Sequence, residues 1–589
     1  MNQNPVPPAP AAAGRFFIVM NRKNIGCAAL LALAMAMSLP YFYSDPESFV
    51  FRSGVFSAIL LLFSLPSLLN GKKATSLLPC FLFGLCLALC LSLGSELRAY
   101  GGLLPGRSAL LRRLLIPLMA APFLGLIAAQ LAHVRLGDRS RPVPLFLGAG
   151  LLLLLWMPVF LAYYPGMLNY DFPGEYAQLQ EGYSHLHPLA HAALMNSVLS
   201  LGASLSSPSF GLLLMTLLQM TLFALSLSHA CHFLAQRGLP LSFQVLLLLF
   251  FGLHPVFSVM ALSMTKDTLF AAAVLELTLQ SLSLLESPER FFSRRMPSAL
   301  FILSFCGTAL LRNNGILALV LFVPALLCLR RRRILVLTLS AAASALLLFG
   351  GLSLALRPAS MPTFQLYSLP AQQLVRAYNA GTMSEEERQR LEGWYPDPQG
   401  LSLYPHLADP AKGYLDRDRL SREGGAFLEL WRQVGRRNVR VYAEAFLLLN
   451  QSSWDPDDTS YATIYPDVSW NEKGALQTQE YSVPGFATKS YLPGLKDLME
   501  RICRYNLFLR WPLLSLLFSP AVPFLVLLLS LALLAVKGHG RLLTAALPVL
   551  CLFLSYLFGP CTLLRYALPL FAISPLFFLM TLLLKEASC

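Results

Sequence analysis

Charge is what this sequence has least of. Only 13% of its 589 residues are Asp, Glu, Lys or Arg, about half the share of an ordinary soluble domain, while 56% are hydrophobic and the mean hydropathy is +0.59. A chain so composed has too little polar surface to cover itself in water, which excludes a soluble enzyme and points to a lipid bilayer as a partner. The net charge of +14 does not mark a nucleic-acid surface. The basic residues fall in short clusters between apolar runs, where membrane proteins carry them. The eleven cysteines contain no CxxC pair and no zinc-type spacing, and Cys80, Cys86, Cys90, Cys306 and Cys328 sit inside apolar runs as small core residues. Internal repeats are absent, and low complexity is confined to the Pro/Ala start. Arg15, Arg22 and Lys23 precede an apolar stretch with no small-residue cleavage site, which reads as an uncleaved first span.

The fold class expected is an all-α polytopic membrane protein with about fourteen spans, each about 20 apolar residues long. Five fall near 25–43, 55–69, 76–93, 114–134 and 143–163, and six near 209–231, 241–260, 267–285, 297–311, 316–329 and 334–355. Three close the chain near 512–536, 543–558 and 567–584. The clusters at Lys72 and Lys73, at Arg135, Arg139 and Arg141, at Arg290, Arg294 and Arg295, at Arg330 to Arg333, and at Lys537 and Arg541 then face the cytoplasm, with both termini. Arg98, Arg107, Arg112 and Arg113 disagree with that rule. Counting the apolar segment 188–207 as a crossing would invert every later loop, so it is expected to lie on or dip into the outer face. Four parts result: an N-terminal four-helix extension (1–142), a membrane core (143–360) with an external loop 164–187 and the interfacial helix 188–207, an extracytoplasmic, mainly helical or mixed domain (361–505), and three closing spans (506–589).

Ionisable groups at membrane depth are costly, so each asks for a reason. The loop after the fifth span carries Asp171 and Glu175. A carboxylate there can act as a general base toward a hydroxyl or hold a divalent cation. His187 and His191, four residues apart, share one helical face, with His185 just ahead of them; the spacing suits a metal or an anionic headgroup. Lys266 and Asp267 sit at the mouth of the span that follows, Lys266 placed to meet a lipid phosphate and Asp267 to orient it or cap the helix. Glu276, about 15 Å deeper, should pair with a polar group inside the bundle. Arg312 with Asn313 and Asn314 forms one external turn, and Arg565 with Tyr566 stands before the last span. By this topology Asp171, Lys266, Arg312 and Arg565 reach one membrane face. A base and several cations at one depth suit a phosphate leaving group. Trp394, Tyr395, Trp454 and Trp470 of the polar domain read as core, with sugar stacking as the alternative.

YPGMLNYD, HLHP, TKDTLF, LLRNNG and RYALPL together resemble bacterial membrane glycosyltransferases of the GT-C superfamily, over roughly residues 143 to 584, and within it a large uncharacterised bacterial family. The resemblance implies a GT-C-like core in the bacterial cytoplasmic membrane and a site on its outer face. It implies inverting transfer of a sugar from a polyprenyl-phosphate donor to an external glycan or lipid acceptor. Asp171 takes the position of the general base, and Arg565, with Lys266 and Arg312, that of the donor-phosphate group. Glu175, His185, His187, Asp267 and Tyr566 are the expected positioning residues. Two departures stand out: the histidines are not adjacent, and the loop has no DxD pair. The metal therefore remains unknown, with Mg or Mn open as a cofactor. A lipid-linked glycan flippase or transporter and a non-catalytic cell-envelope assembly protein remain the alternatives.

Overall fold

The structure, a computed structural model, describes residues 78–137, 141–169, 171–458, 485–504 and 512–586, with the short strands Ser469–Trp470 and Leu476–Gln477 paired antiparallel between them. The spans expected at 25–43 and 55–69 lie outside these residues. The rest is helical. Seven described helices are long and apolar enough to cross a membrane: Leu78–Tyr100, Arg107–Leu131, Leu145–Ala162, Pro208–Ala235, Lys266–Glu286, Arg332–Leu356 and Leu564–Leu583. An eighth exists if Leu241–Leu253 and Pro255–Leu262, bent by 51° at their break, are taken as one. Large apolar side chains stand bare on these surfaces, Leu347 at 76% and Leu354 at 80% exposure on one helix, which only lipid can cover favourably. The chain is a multi-pass membrane protein.

Four other expected spans are shorter or broken. Segment 297–311 forms Arg295–Leu310, and 316–329 divides into Gly315–Leu319 and Phe322–Cys328. Segment 512–536 divides at Pro520 into Pro512–Phe518 and Ala521–Val536, because proline has no N–H to continue the ladder. Segment 543–558 is the 3₁₀ turn Gly540–Ala546 followed by Leu547–Tyr556. Hydropathy sees continuous apolar runs there; the backbone interrupts them.

Helix direction follows from partners at the two ends. Lys266–Glu286 begins beside Asp171 and ends at Glu286, which pairs with Arg237 just past Pro208–Ala235. Met167, Asp171 and Glu175 therefore sit at the end where Leu145–Ala162 finishes. Helix Leu189–Leu205 starts there through His191 and turns straight into Pro208–Ala235; it is shorter than the helices long enough to cross a membrane. The two helices close tightly: a Cβ on Gly202 would stand 2.1 Å from the Gly211 Cα.

Apart from the two short strands, the polar segment is mainly helical where described and has its own core, built on Leu374, Leu391, Trp394, Tyr395, Phe427 and Leu430. Trp394 and Tyr395 are buried there, and Trp454 is half-buried against Leu97, Leu103 and Leu448. The side chain of Trp470 lies outside the described residues. Helix Glu385–Glu392 opens with a reciprocal cap between Ser384 and Glu387. The domain seats on the loop before Arg565, through the Ala408 N–H to the Pro560 carbonyl (2.7 Å) and the Asn450 amide to the Leu557 carbonyl (2.9 Å).

The N-terminal extension braces this domain. Arg98 at the end of Leu78–Tyr100 pairs with Asp455 and with Asp457 (3.3 Å), Arg376 donates to the Gly101 carbonyl (2.8 Å), and Arg113 pairs with Glu96 (2.6 Å). Carboxylates thus match two of the four arginines that break the loop-charge rule. The Asp455 side chain is fully buried, and a Cβ on Gly94 would stand 2.3 Å from its carboxyl. Arg98→Ala leaves that buried carboxylate with neutral donors, the Gln451 amide and the Asp457 N–H, in place of a cation and should cost about 3 kcal/mol of stability, read as a lower Tm in detergent.

Candidate functional site

The site forms where the bundle's backbone is least regular. After Leu145–Ala162 the chain runs extended. The Met167 N–H donates to the Leu262 carbonyl (3.0 Å), and the Met264 N–H donates back to the Met167 carbonyl (2.9 Å). These two bonds stitch the loop of Asp171 to the segment that starts helix Lys266–Glu286. That segment is itself held: His254 caps Pro255–Leu262 by accepting from the Val256 N–H (3.1 Å), and the Gln219 amide donates to the Ala261 and Ser263 carbonyls (2.8 Å each). Thr265 then caps the new helix, accepting from the Asp267 N–H and donating its hydroxyl to Asp267 Oδ2 (2.9 Å). Lys266 and Asp267 consequently leave the first turn side by side. Asn169 accepts from the Asp171 N–H (2.9 Å) and orients the opposite carboxylate.

Three carboxylates and three Lys or Arg cations meet there. Asp171 Oδ2 accepts from both Lys266 Nζ and Arg565 Nη1 at 2.9 Å, the latter across 394 residues of sequence. Lys266 also reaches Glu175 Oε1 (3.3 Å). Asp267 pairs with Arg312 (2.6 Å) and Arg565 (3.5 Å), so it orients the two arginines rather than Lys266. The Arg312 guanidinium lies 4.4 Å from the Tyr566 ring centre and 5.2 Å from that of Tyr556, and Arg565 lies 5.1 Å from Tyr566. These rings form a cation–π platform under both arginines. On the other flank His191 Nδ1 stands 2.7 Å and His187 Nδ1 3.4 Å from Glu175, as the four-residue spacing allows.

Burial alone would push the Asp171 carboxyl up, but the Lys266 ammonium and the Arg565 guanidinium outweigh it and hold it well below the usual carboxylate range. Glu175 follows the same rule: burial opposes ionisation, and His191 and Lys266 overcome it.

Asp171, Glu175, His187, Lys266, Asp267, Arg312, Arg565 and Tyr566 are thus brought together. His185 is not. Its ring lies against Phe349, with centroids 5.9 Å apart, its backbone N–H donates to the Ala359 carbonyl, and its own carbonyl accepts from the Asn313 amide (2.9 Å). It lines a cavity of about 720 Å³ beside Arg312 and Asn313, whose remaining walls are apolar, among them Phe305, Val320, Leu346 and Phe349. Arg312 belongs to both cluster and cavity. Tyr556 escaped sequence reading because its only signal is an apolar run. Glu276 meets His229 (2.9 Å) and Gln280 (2.7 Å), an intrabundle pair as its depth requires. Among the described residues no group of three or more His, Cys, Asp or Glu side chains is arranged to hold a metal ion. Each carboxylate of the cluster faces Lys or Arg instead.

A sequence profile described as a family of unknown function, DUF6020, matches residues 170–588, and the chain belongs to that family. The match begins immediately ahead of Asp171 and takes in every residue of the cluster. No curated protein and no solved structure matches the chain.

Glu175→Gln should lower stability by about 3 kcal/mol at neutral pH, because Lys266 and both histidines lose a buried anion. A depressed carboxyl contributes stability above its unfolded value, near 4.5, and loses it as pH falls through the folded one. The Tm gap between wild type and Glu175→Gln should therefore be full at neutral pH and shrink on acidification below that value.

Proposed function

We propose that this protein is a GT-C-type membrane glycosyltransferase of the bacterial cytoplasmic membrane. It transfers a sugar from a polyprenyl-phosphate donor to an external glycan or lipid acceptor, with inversion, at the outer face. The observation that carries this reading is the convergence of one partly accessible carboxylate, Asp171, with Lys266, Arg312 and Arg565 beside an apolar cavity that Arg312 also lines. A hydrocarbon-borne phosphate needs both environments, cations for its head and an apolar groove for its tail. In the transfer, Asp171 takes the proton of the acceptor hydroxyl while the oxygen attacks the anomeric carbon from the face opposite the phosphate. The carbon–phosphate-oxygen bond breaks and its electron pair leaves with the polyprenyl phosphate. Lys266, Arg312 and Arg565 stabilise that developing charge. His187 acts through Glu175 to keep Lys266 in place, and the polar domain seated on the loop before Arg565 covers the acceptor side.

The test is mass spectrometry of polyprenyl-phosphate sugars and surface glycans in cells carrying wild type, a deletion or Asp171→Asn at matched expression. Deletion and Asp171→Asn should each accumulate one lipid-linked sugar and lose one glycan substituent, with transfer down by about a hundredfold or more in the variant. An Asp171→Asn strain indistinguishable from wild type, beside a deletion that is not, would put transport or assembly ahead. In purified protein, transfer should persist in EDTA, because Lys266, Arg312 and Arg565 supply the positive charge that Mg or Mn would bring.

A further inference from the structure

The cluster sets a problem for its own base. Asp171 offers one oxygen, Oδ2, to two cations at once, each at 2.9 Å, and a carboxylate so engaged is a poor proton acceptor. The cluster is also already balanced in charge, with Asp171, Glu175 and Asp267 against Lys266, Arg312 and Arg565. An anionic ligand entering it forces one carboxylate to give way.

The geometry says which. The side chains of Glu175 and Asp267 are each 1% exposed, whereas that of Asp171 is 17% exposed. Asp171 precedes helix Phe172–Glu181, yet its side chain makes no capping bond to the helix backbone, so nothing local pins it. Its departure strands neither cation. Lys266 retains Glu175 at 3.3 Å, and Arg565 retains Asp267 at 3.5 Å. Breaking a buried pair is costly mainly because it leaves a bare buried charge; here both buried cations stay paired, and the carboxylate released is the most exposed of the three.

Building on the lipid-phosphate reading above, we propose that Asp171 occupies, between Lys266 and Arg565, the place that an anionic phosphate takes. The arriving lipid phosphate takes Lys266 and Arg565 from Asp171, and the carboxylate swings free toward the acceptor hydroxyl. Donor binding thereby switches the base on. Until the donor is seated, an acceptor hydroxyl or a water at the site meets a carboxylate locked between two cations, so binding is ordered, with donor first.

The experiment titrates the purified full-length protein in detergent with farnesyl phosphate, and with farnesol as the uncharged control, by calorimetry. Asp171→Asn removes the competing anion and should bind farnesyl phosphate about tenfold more tightly than wild type, with farnesol binding unchanged. Farnesyl phosphate should also raise the Tm of Asp171→Asn by more than it raises that of wild type, because the ligand replaces the missing charge. If Asp171→Asn does not survive purification, Asp171→Ser removes the same charge and is titrated in its place. Equal or weaker binding by the variant overturns the exchange while leaving the lipid-phosphate reading standing. Failure of every protein to bind farnesyl phosphate overturns the lipid-phosphate reading, and the exchange with it.

Discussion

The contact on which the site end of this molecule depends is that of Lys266 with Asp171 and Glu175. An ammonium group buried in a helical bundle is tolerable only where carboxylates meet it, and the network that answers it recruits Arg565, Asp267, Arg312 and two histidines in turn. Replacing such a network with apolar side chains is often neutral or favourable for stability. Its presence in a chain with so few charges is therefore poorly explained as a stabilising device. Intramembrane or juxtamembrane charge of this density marks function.

The network can exist only because the helices around it are broken. A regular helix satisfies its own backbone and projects side chains at fixed intervals. The breaks at 163–169, at His254, at 263–265 and at 557–563 let distant side chains converge. Their exposed backbone groups are satisfied locally, by the Met167 exchange, the Gln219 amide, the Thr265 cap and the Asn450 amide. Non-helical backbone at such a place is tolerated where protein encloses it. The same stitching makes Asp171 and Lys266 neighbours through backbone bonds before any charge is considered.

The N-terminal extension, which has no role in a reading of motifs, finds a structural one here. Its helices pack on one another and on Ala521–Val536, and its loop grips the polar domain through Arg98, Gly101 and Leu103. The polar domain in turn rests on the loop that presents Arg565. Extension, domain and site are linked mechanically through Asp455, Asn450 and Pro560.

Composition and hydropathy by themselves determined the class of molecule, because apolar surface and scarce charge leave no environment but lipid. Single residue types at helix mouths were equally legible: Asp171, Glu175, Lys266, Asp267, Arg312 and Arg565 are conspicuous wherever charge is rare, and the spacing of His187 and His191 already puts them on one face. Only the tertiary structure decided who meets whom. Pairing of Asp171 with Arg565 spans 394 residues, and no local pattern encodes such a contact. Likewise, Pro520 and the His254–Pro255 bend interrupt spans that hydropathy averages into continuous runs. His185 turned into an apolar cavity because Asn313 and Ala359 hold its backbone, and Tyr556 emerged from an apolar helix as a ring beneath Arg312. Side-chain chemistry is written residue by residue, whereas distance is set by how helices break and cross, and that is a property of the whole packed chain.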